Sequence, residues 1–152
     1  MSFLGLDLSS NLSYFTVPAV FITACFLPHT YAVAKSGPVY DNANPRGWRD
    51  AVGGADMDKS LQQRLLRAKS ASENGFESLG FYAGGVIAAN QAGVPVATIN
   101  ALTLGYLACR LAFVFAYIEL GANRRLTGVR SLFWAMSTGL CITLWVKAGF
   151  KA

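Results

Sequence analysis

The chain has 152 residues, enough for one compact unit and too few for two. Hydrophobic residues make up 53% and charged residues 14%, against roughly 25% charged in soluble domains. The tracts 13–34, 78–109 and 131–146 hold no Lys, Arg, Asp or Glu, which excludes an ordinary soluble domain and describes an integral membrane protein. The net charge of +5 lies in connecting segments, where membrane topology accounts for it better than a nucleic-acid partner.

Met1 to Asn11 carries Asp7 and no basic residue, unlike the n-region of a signal peptide, so the first span is expected to stay in the protein. That span runs from about Leu12 to Ala34. Pro18 near its start is tolerable, whereas Pro28 should bend it. His29, the single histidine, is either a proton carrier or an ordinary bundle residue. From Lys35 to about Asp58 a polar loop is predicted, with turn chemistry at Ser36-Gly37-Pro38, Asn44-Pro45-Arg46-Gly47 and Gly53-Gly54. It is long for a connection within a helical hairpin, which hints at a role beyond linking.

Asp56 or Asp58 caps a second helix, and no proline follows until Pro95. Lys59 to Gln91 is 33 residues, or about 50 Å at ~1.5 Å per residue. Only the half from Gly75 onward is apolar, so the first half must project from the bilayer or lie within the protein. Gly75, Gly80, Gly84 and Gly85 offer close helix contact. The uncharged turn Asn90 to Pro95 forces an antiparallel partner, a third span from Pro95 to about Leu120. After a polar loop over 121–128, a fourth span runs from about Val129 to Lys147. The expected fold is all-α: an integral membrane four-helix bundle of up-down topology forming one domain over 1–152. Segment 35–69 holds seven Lys or Arg and segment 121–131 three, while the 88–97 turn has none. The first and third connections are therefore predicted to be cytoplasmic. Cys25, Cys109 and Cys141 fall in apolar tracts without metal-ligand spacing; they read as small hydrophobes, and no metal site is expected.

Chemistry concentrates on a few residues. On a helix, Arg67, Ser70, Asn74, Glu77 and Phe81 share one face, which puts a cation, an amide and a carboxylate in one column. Arg110 lies deep in the third span, where an unpaired arginine costs at least ~2.5 kcal/mol. It should face the interior and find a carboxylate, with Glu77 the natural candidate, either as a register-fixing clamp or as part of a polar cavity. Tyr106 and Tyr117 share nearly the same face as Arg110. Arg130 opens the fourth helix, where a cation gains nothing from the helix dipole; it is either an anion binder or a membrane-surface anchor. Together these residues predict a pocket that meets both water and bilayer, suited to an anionic molecule at one end and an apolar one below.

These residues resemble the membrane-associated proteins in eicosanoid and glutathione metabolism, the MAPEG superfamily. The matches are Asn44-Pro45-Arg46, the pattern Arg67-Ala68-x-x-Ala71-x-x-Asn74-x-x-Glu77, Arg110 with Tyr117, and Arg130-Ser131-x-x-Trp134. They resemble the bacterial and fungal branch more than the mammalian synthases. The resemblance implies a homotrimer of four-helix subunits, embedded in membrane lipid, with glutathione as cofactor at the cytoplasmic end of the subunit interface. Asn74 and Glu77 match residues that hold the glutathione backbone. Arg110 and Tyr117 match a buried arginine and a cofactor-contacting tyrosine, Arg46 belongs to the matching triplet, and Arg130 matches the arginine that stabilises the thiolate. Arg130 and Tyr117 are thus the expected catalytic residues, and Arg67, Asn74, Glu77, Arg110, Tyr117 and Arg46 the cofactor-binding ones.

The chain also departs from the synthases. Ser70 stands where they usually carry an arginine, with Arg67 one turn earlier as substitute, and Glu73 occupies a position that is basic in some relatives. Arg124 and Arg125 are alternatives to Arg130 at the thiol. The implied activity is transfer of glutathione to a lipophilic electrophile, with isomerase or peroxidase chemistry through the same thiolate as variants. One alternative is a glutathione-independent enzyme using Glu77, Tyr117 or Arg110 as acid–base groups. Another is a non-catalytic lipid-binding or scaffold subunit. The expected location is the endoplasmic reticulum membrane in a eukaryote or the inner membrane in a bacterium.

Overall fold

A computed structural model describes residues 9–152 and the backbone of Ser2–Phe3 and Leu6–Asp7, which form a short antiparallel pair. The stretch Met1 to Asn11, on which the expectation of an uncleaved N-terminus rests, lies partly outside the described residues. The first long rod is continuous but not uniform. Helix α1 (Ser13–Val20) passes into a π-helical turn, Phe21–Phe26, and then into α2 (Leu27–Ser36). Pro28 has no N–H, and its ring crowds the carbonyl four residues back, that of Ala24. The helix widens ahead of it, and Leu27 N–H donates five residues back to Ile22 O. The next long helix uses the carbonyls exposed here. Ser72 Oγ donates to Cys25 O at 2.7 Å, and Gly75 packs so close that a Cβ there would stand 2.4 Å from Ala24 O.

The segment expected to be a polar loop is partly helical. Gly37–Val39 and Pro45–Gly47 are 3-10 turns, and α3 spans Trp48–Gly54. Two apolar side chains fix α3. Trp48 is buried and its Nε1 donates to Ser36 Oγ at 2.9 Å, and Val52 is buried among Ala32, Leu65 and Ala68. Helix α4 (Lys59–Gln91) has the expected bounds, and its cap is Asp58, whose carboxylate accepts from Leu61 N at 2.8 Å. Pro95 sits just before α5 (Val96–Ile118), and α6 (Thr127–Gly149) follows two short 3-10 turns.

Among the described residues, three stretches are long and apolar enough to cross a membrane: Ser13–Val39, Val96–Ile118 and Arg124–Gly149. Helix α4 does not meet that standard, because polar residues run through it from Lys59 to Ser78 and return at Asn90. It packs against α2, α5 and α6, so protein covers much of it. The shared core joins Val20, Ala24, Tyr82, Val86, Tyr106 and Leu144. At its centre the rings of Tyr82 and Tyr106 stack 3.7 Å apart at 4°, and the Tyr82 hydroxyl lies 2.6 Å from Thr16 Oγ1. Gly84 and Gly85 seat the Trp145 indole, whose Nε1 donates to Phe81 O at 3.0 Å. Gly80, by contrast, has open space where its Cβ would be.

Successive rods alternate in direction. At one end, Arg67 Nε donates to Ile118 O at 3.1 Å and Arg64 pairs with Glu119. At the other, Asn11, Ser13, Asn90 and Asn100 interlock. The basic segments therefore gather at one end of the molecule.

Candidate functional site

Helices α4, α5 and α6 line an open cavity of about 380 Å³ near that basic end, within the range of small-molecule sites. Its α4 wall carries Ser70, Glu73, Asn74 and Glu77, which recur at helical spacing on one face. Phe113 and Tyr117 come from α5, and Arg130, Ser131 and Trp134 from α6. A second cavity of about 230 Å³ shares Ser70, Tyr117 and Arg130 with the first and extends towards Arg67, Gly121 and Thr127.

Arg110 is almost completely buried, but it does not pair with Glu77 as expected. Its Nη1 donates to Asn74 Oδ1 at 2.9 Å, and its guanidinium lies 4.6 Å from the Phe113 ring centre. Among the described residues its Nε and Nη2 have no hydrogen-bond partner. The reason lies in the α4 face: Asn74 faces Arg110, whereas Glu77, one turn on, is exposed and lines the cavity. With Asn74 Oδ1 accepting from Arg110, the Nδ2 of the same amide is free to donate towards the cavity.

Aromatic rings relay the buried cation to the cavity. Phe113 meets Tyr117 edge-on with centres 5.4 Å apart, and the Arg130 guanidinium lies 4.3 Å from the Tyr117 ring centre. Two arginines thus bracket two rings, and the stack sets Arg130 between the two cavities. Arg67 lines the second cavity. Arg46 is exposed, in a turn closed by Asn44 Oδ1 accepting from Gly47 N at 3.3 Å, and lines neither cavity. Arg124 and Arg125 are also exposed and line neither. His29 stands outside the cavities, its Nδ1 3.1 Å from Lys69 Nζ.

Sequence reasoning missed four contributors. Phe113 follows Arg110 by three residues and so shares its face, a signal that was available. Ser131 and Trp134 belong to the motif that opens α6, and nothing local marks them as cavity walls. Arg49 had no signal at all: from α3 it reaches Glu73 Oε2 at 2.6 Å and Ser70 Oγ at 3.4 Å. A guanidinium therefore stands beside Ser70 after all, supplied from the connecting segment.

The sequence model of the MAPEG family matches residues 13–150, nearly the whole chain. The chain belongs to the MAPEG family. No curated protein and no solved structure matches it. Family and apolar helices agree on a membrane protein, and family membership suggests a glutathione-related transferase or isomerase role. The residues present fit such a ligand. Glutathione carries one ammonium and two carboxylates, and the two cavities offer carboxylates (Glu73, Glu77), guanidiniums (Arg67, Arg130) and an amide with free donors.

Proposed function

We propose that this protein is a membrane-embedded glutathione transferase that acts on a lipophilic electrophile. One observation carries the reading: Arg130, held over the Tyr117 ring, faces the same cavity as Asn74 and Glu77, at the basic end of a set of apolar helices. In this reading Glu77 receives the ammonium of glutathione, and Asn74, oriented by Arg110, donates to its carbonyl or carboxylate oxygens. Arg130 holds the sulfur. When bound, glutathione supplies a thiolate, the nucleophile for the conjugation. A guanidinium beside a thiol favours the ionised form, and the Tyr117 ring fixes that guanidinium in place. The apolar partner enters from the bilayer past Trp134, which is half exposed on α6.

The same reading includes a four-pass subunit, with the basic end cytoplasmic, in a homotrimer. The cavity wall supports it: Glu77, Ser131 and Trp134 are exposed in a single chain, so a neighbour is needed to close the site. Arg130→Ala tests the chemistry. The variant should lose about 100-fold or more in kcat/KM with a generic aryl halide, while glutathione still raises its melting temperature. A purified wild-type protein whose melting temperature does not move in millimolar glutathione would sink the proposal. Turnover of a native substrate that continues without glutathione would favour acid–base chemistry by Glu77 or Tyr117 instead.

A further inference from the structure

Lys147 and Lys151 stand apart from the other basic residues. They lie one turn apart at the end of α6, beside the α4–α5 turn and opposite the basic loops. The rule that gathers cations on one side of a membrane does not account for them. Nor does α6 need them to close its last turn, because Phe150 N donates to Val146 O and Lys151 N to Ala148 O, both at 3.0 Å. Among the described residues neither ammonium has an ion-pair partner.

The two lysines border adjoining cavities. The smaller, about 350 Å³, lies between the start of α5 and the end of α6, where Pro95 and Thr98 face Lys147 and Lys151. The larger is an open groove of about 540 Å³ between the ends of α4 and α6. Its walls are mainly apolar, with Ala88, Ala92, Trp145 and Ala148, and Lys151 stands where it meets the smaller cavity. No Asp or Glu lines either. The groove has room to spare, since a Cβ at Gly149 would meet nothing within 4 Å. Beside the lysines Phe150 is 87% exposed, an apolar ring that calls for an apolar neighbour.

We propose that this end of the protein binds an anionic phospholipid. The headgroup phosphate lies between Lys147 and Lys151 in the smaller cavity, and an acyl chain runs along the groove past Trp145. Charge complementarity selects the headgroup, because two ammoniums with no acid beside them favour an anion. The groove selects a lipid over a soluble anion, which has no chain to fill it. Lysine suits such a place, since its stem lies along apolar surface while the ammonium reaches the polar layer. The site is separate from the cavities at the basic end and does not depend on the glutathione reading.

The test places the full-length protein in nanodiscs of equal parts phosphatidylglycerol and phosphatidylcholine, extracts it in mild neutral detergent and reads the retained lipid by native mass spectrometry. Wild type should keep phosphatidylglycerol over phosphatidylcholine by about tenfold or more, as each ammonium near an anionic headgroup contributes about fivefold. Lys147→Gln/Lys151→Gln should bring the two lipids close to parity, and Lys147→Arg/Lys151→Arg should keep the preference. Gly149→Leu fills the groove, leaves both lysines in place and should lower phosphatidylglycerol retention several-fold. Unchanged melting temperatures in neutral detergent would show that these variants are folded. No preference in wild type, or one that survives in Lys147→Gln/Lys151→Gln, overturns the proposal. A fall of the same size in Arg124→Gln/Arg125→Gln would reduce the preference to net charge and overturn it as well. Retention that Gly149→Leu leaves alone and millimolar inorganic phosphate abolishes would mean a site for soluble phosphate, and no lipid site. Efficient disulfide cross-linking of Phe150→Cys between chains in the nanodiscs would mean that a second copy covers this face, which also overturns the assignment.

Discussion

The two ends of the helix assembly treat their polar side chains in opposite ways. At the end away from the basic loops, Asn90 Oδ1 accepts from Asn11 Nδ2 at 2.5 Å, and Asn90 Nδ2 donates to Ser13 Oγ at 3.0 Å and Val86 O at 2.8 Å. Asn100 accepts from Leu12 N at 2.9 Å and donates to Ser10 O at 2.8 Å. These amides sew the start of the first rod to the α4–α5 turn. At the basic end, among the described residues, two nitrogens of the buried Arg110 have no hydrogen-bond partner, and neither Arg67 nor Arg130 has an ion-pair partner. Leaving buried donors unsatisfied costs about 1–3 kcal/mol each, more for charged groups. The network at the far end holds the helices together; under the proposed function the open valences at the basic end serve the ligand.

Asn74→Asp tests this contrast most strongly. A carboxylate at position 74 would give Arg110 the ionic partner it lacks, so the melting temperature should rise or hold. The same change removes the amide donors and adds negative charge to the cavity wall. Glutathione affinity should fall about 10- to 100-fold, the range for a lost hydrogen bond to a charged group. Thermal melts and calorimetry on one preparation would check both parts. A variant that is less stable and binds normally would mean that Asn74 serves packing rather than the ligand.

The helix limits were easier to read from the sequence than the contacts between helices. Asp58 and Pro95 mark α4 and the start of α5 because capping and proline effects are local. Helix α3 was hidden in a stretch with Gly and Asp, because what stabilises it is the burial of Trp48 and Val52 against α2 and α4, a tertiary effect. The column from Arg67 to Glu77 was visible as one face of a helix. Which of its members meets Arg110 was not, since that depends on how α4 is set against α5. Periodicity put Asn74 and Glu77 on one face; only packing distinguishes a residue turned inward from one turned to the cavity. Arg49 was illegible for the same reason, as nothing local places a connecting segment over Ser70.

Asn90→Ala should reverse the Asn74→Asp pattern. It deletes the bonds that tie α4 to Asn11 and Ser13, and such interhelical bonds in membranes average about 0.6 kcal/mol, with a maximum near ~1.7. The melting temperature should drop modestly, and glutathione affinity should stay within error. A loss of affinity would show that the far end supports the cavity, and the contrast between the two ends would fail.

Arg49→Ala is the mildest and most specific case. The Arg49–Glu73 pair is nearly half exposed on both sides, so its loss should cost no more than about 0.5–1 kcal/mol. Its expected effect is electrostatic. Without Arg49, Glu73 would turn its full charge on the cavity, and an anionic ligand should bind a few-fold more weakly, with the difference shrinking at high salt. Arg49→Ala/Glu73→Gln should restore most of the affinity, because the deleted cation then has no carboxylate to offset. If the double variant binds as poorly as Arg49→Ala alone, Arg49 touches the ligand directly and belongs to the cavity in its own right.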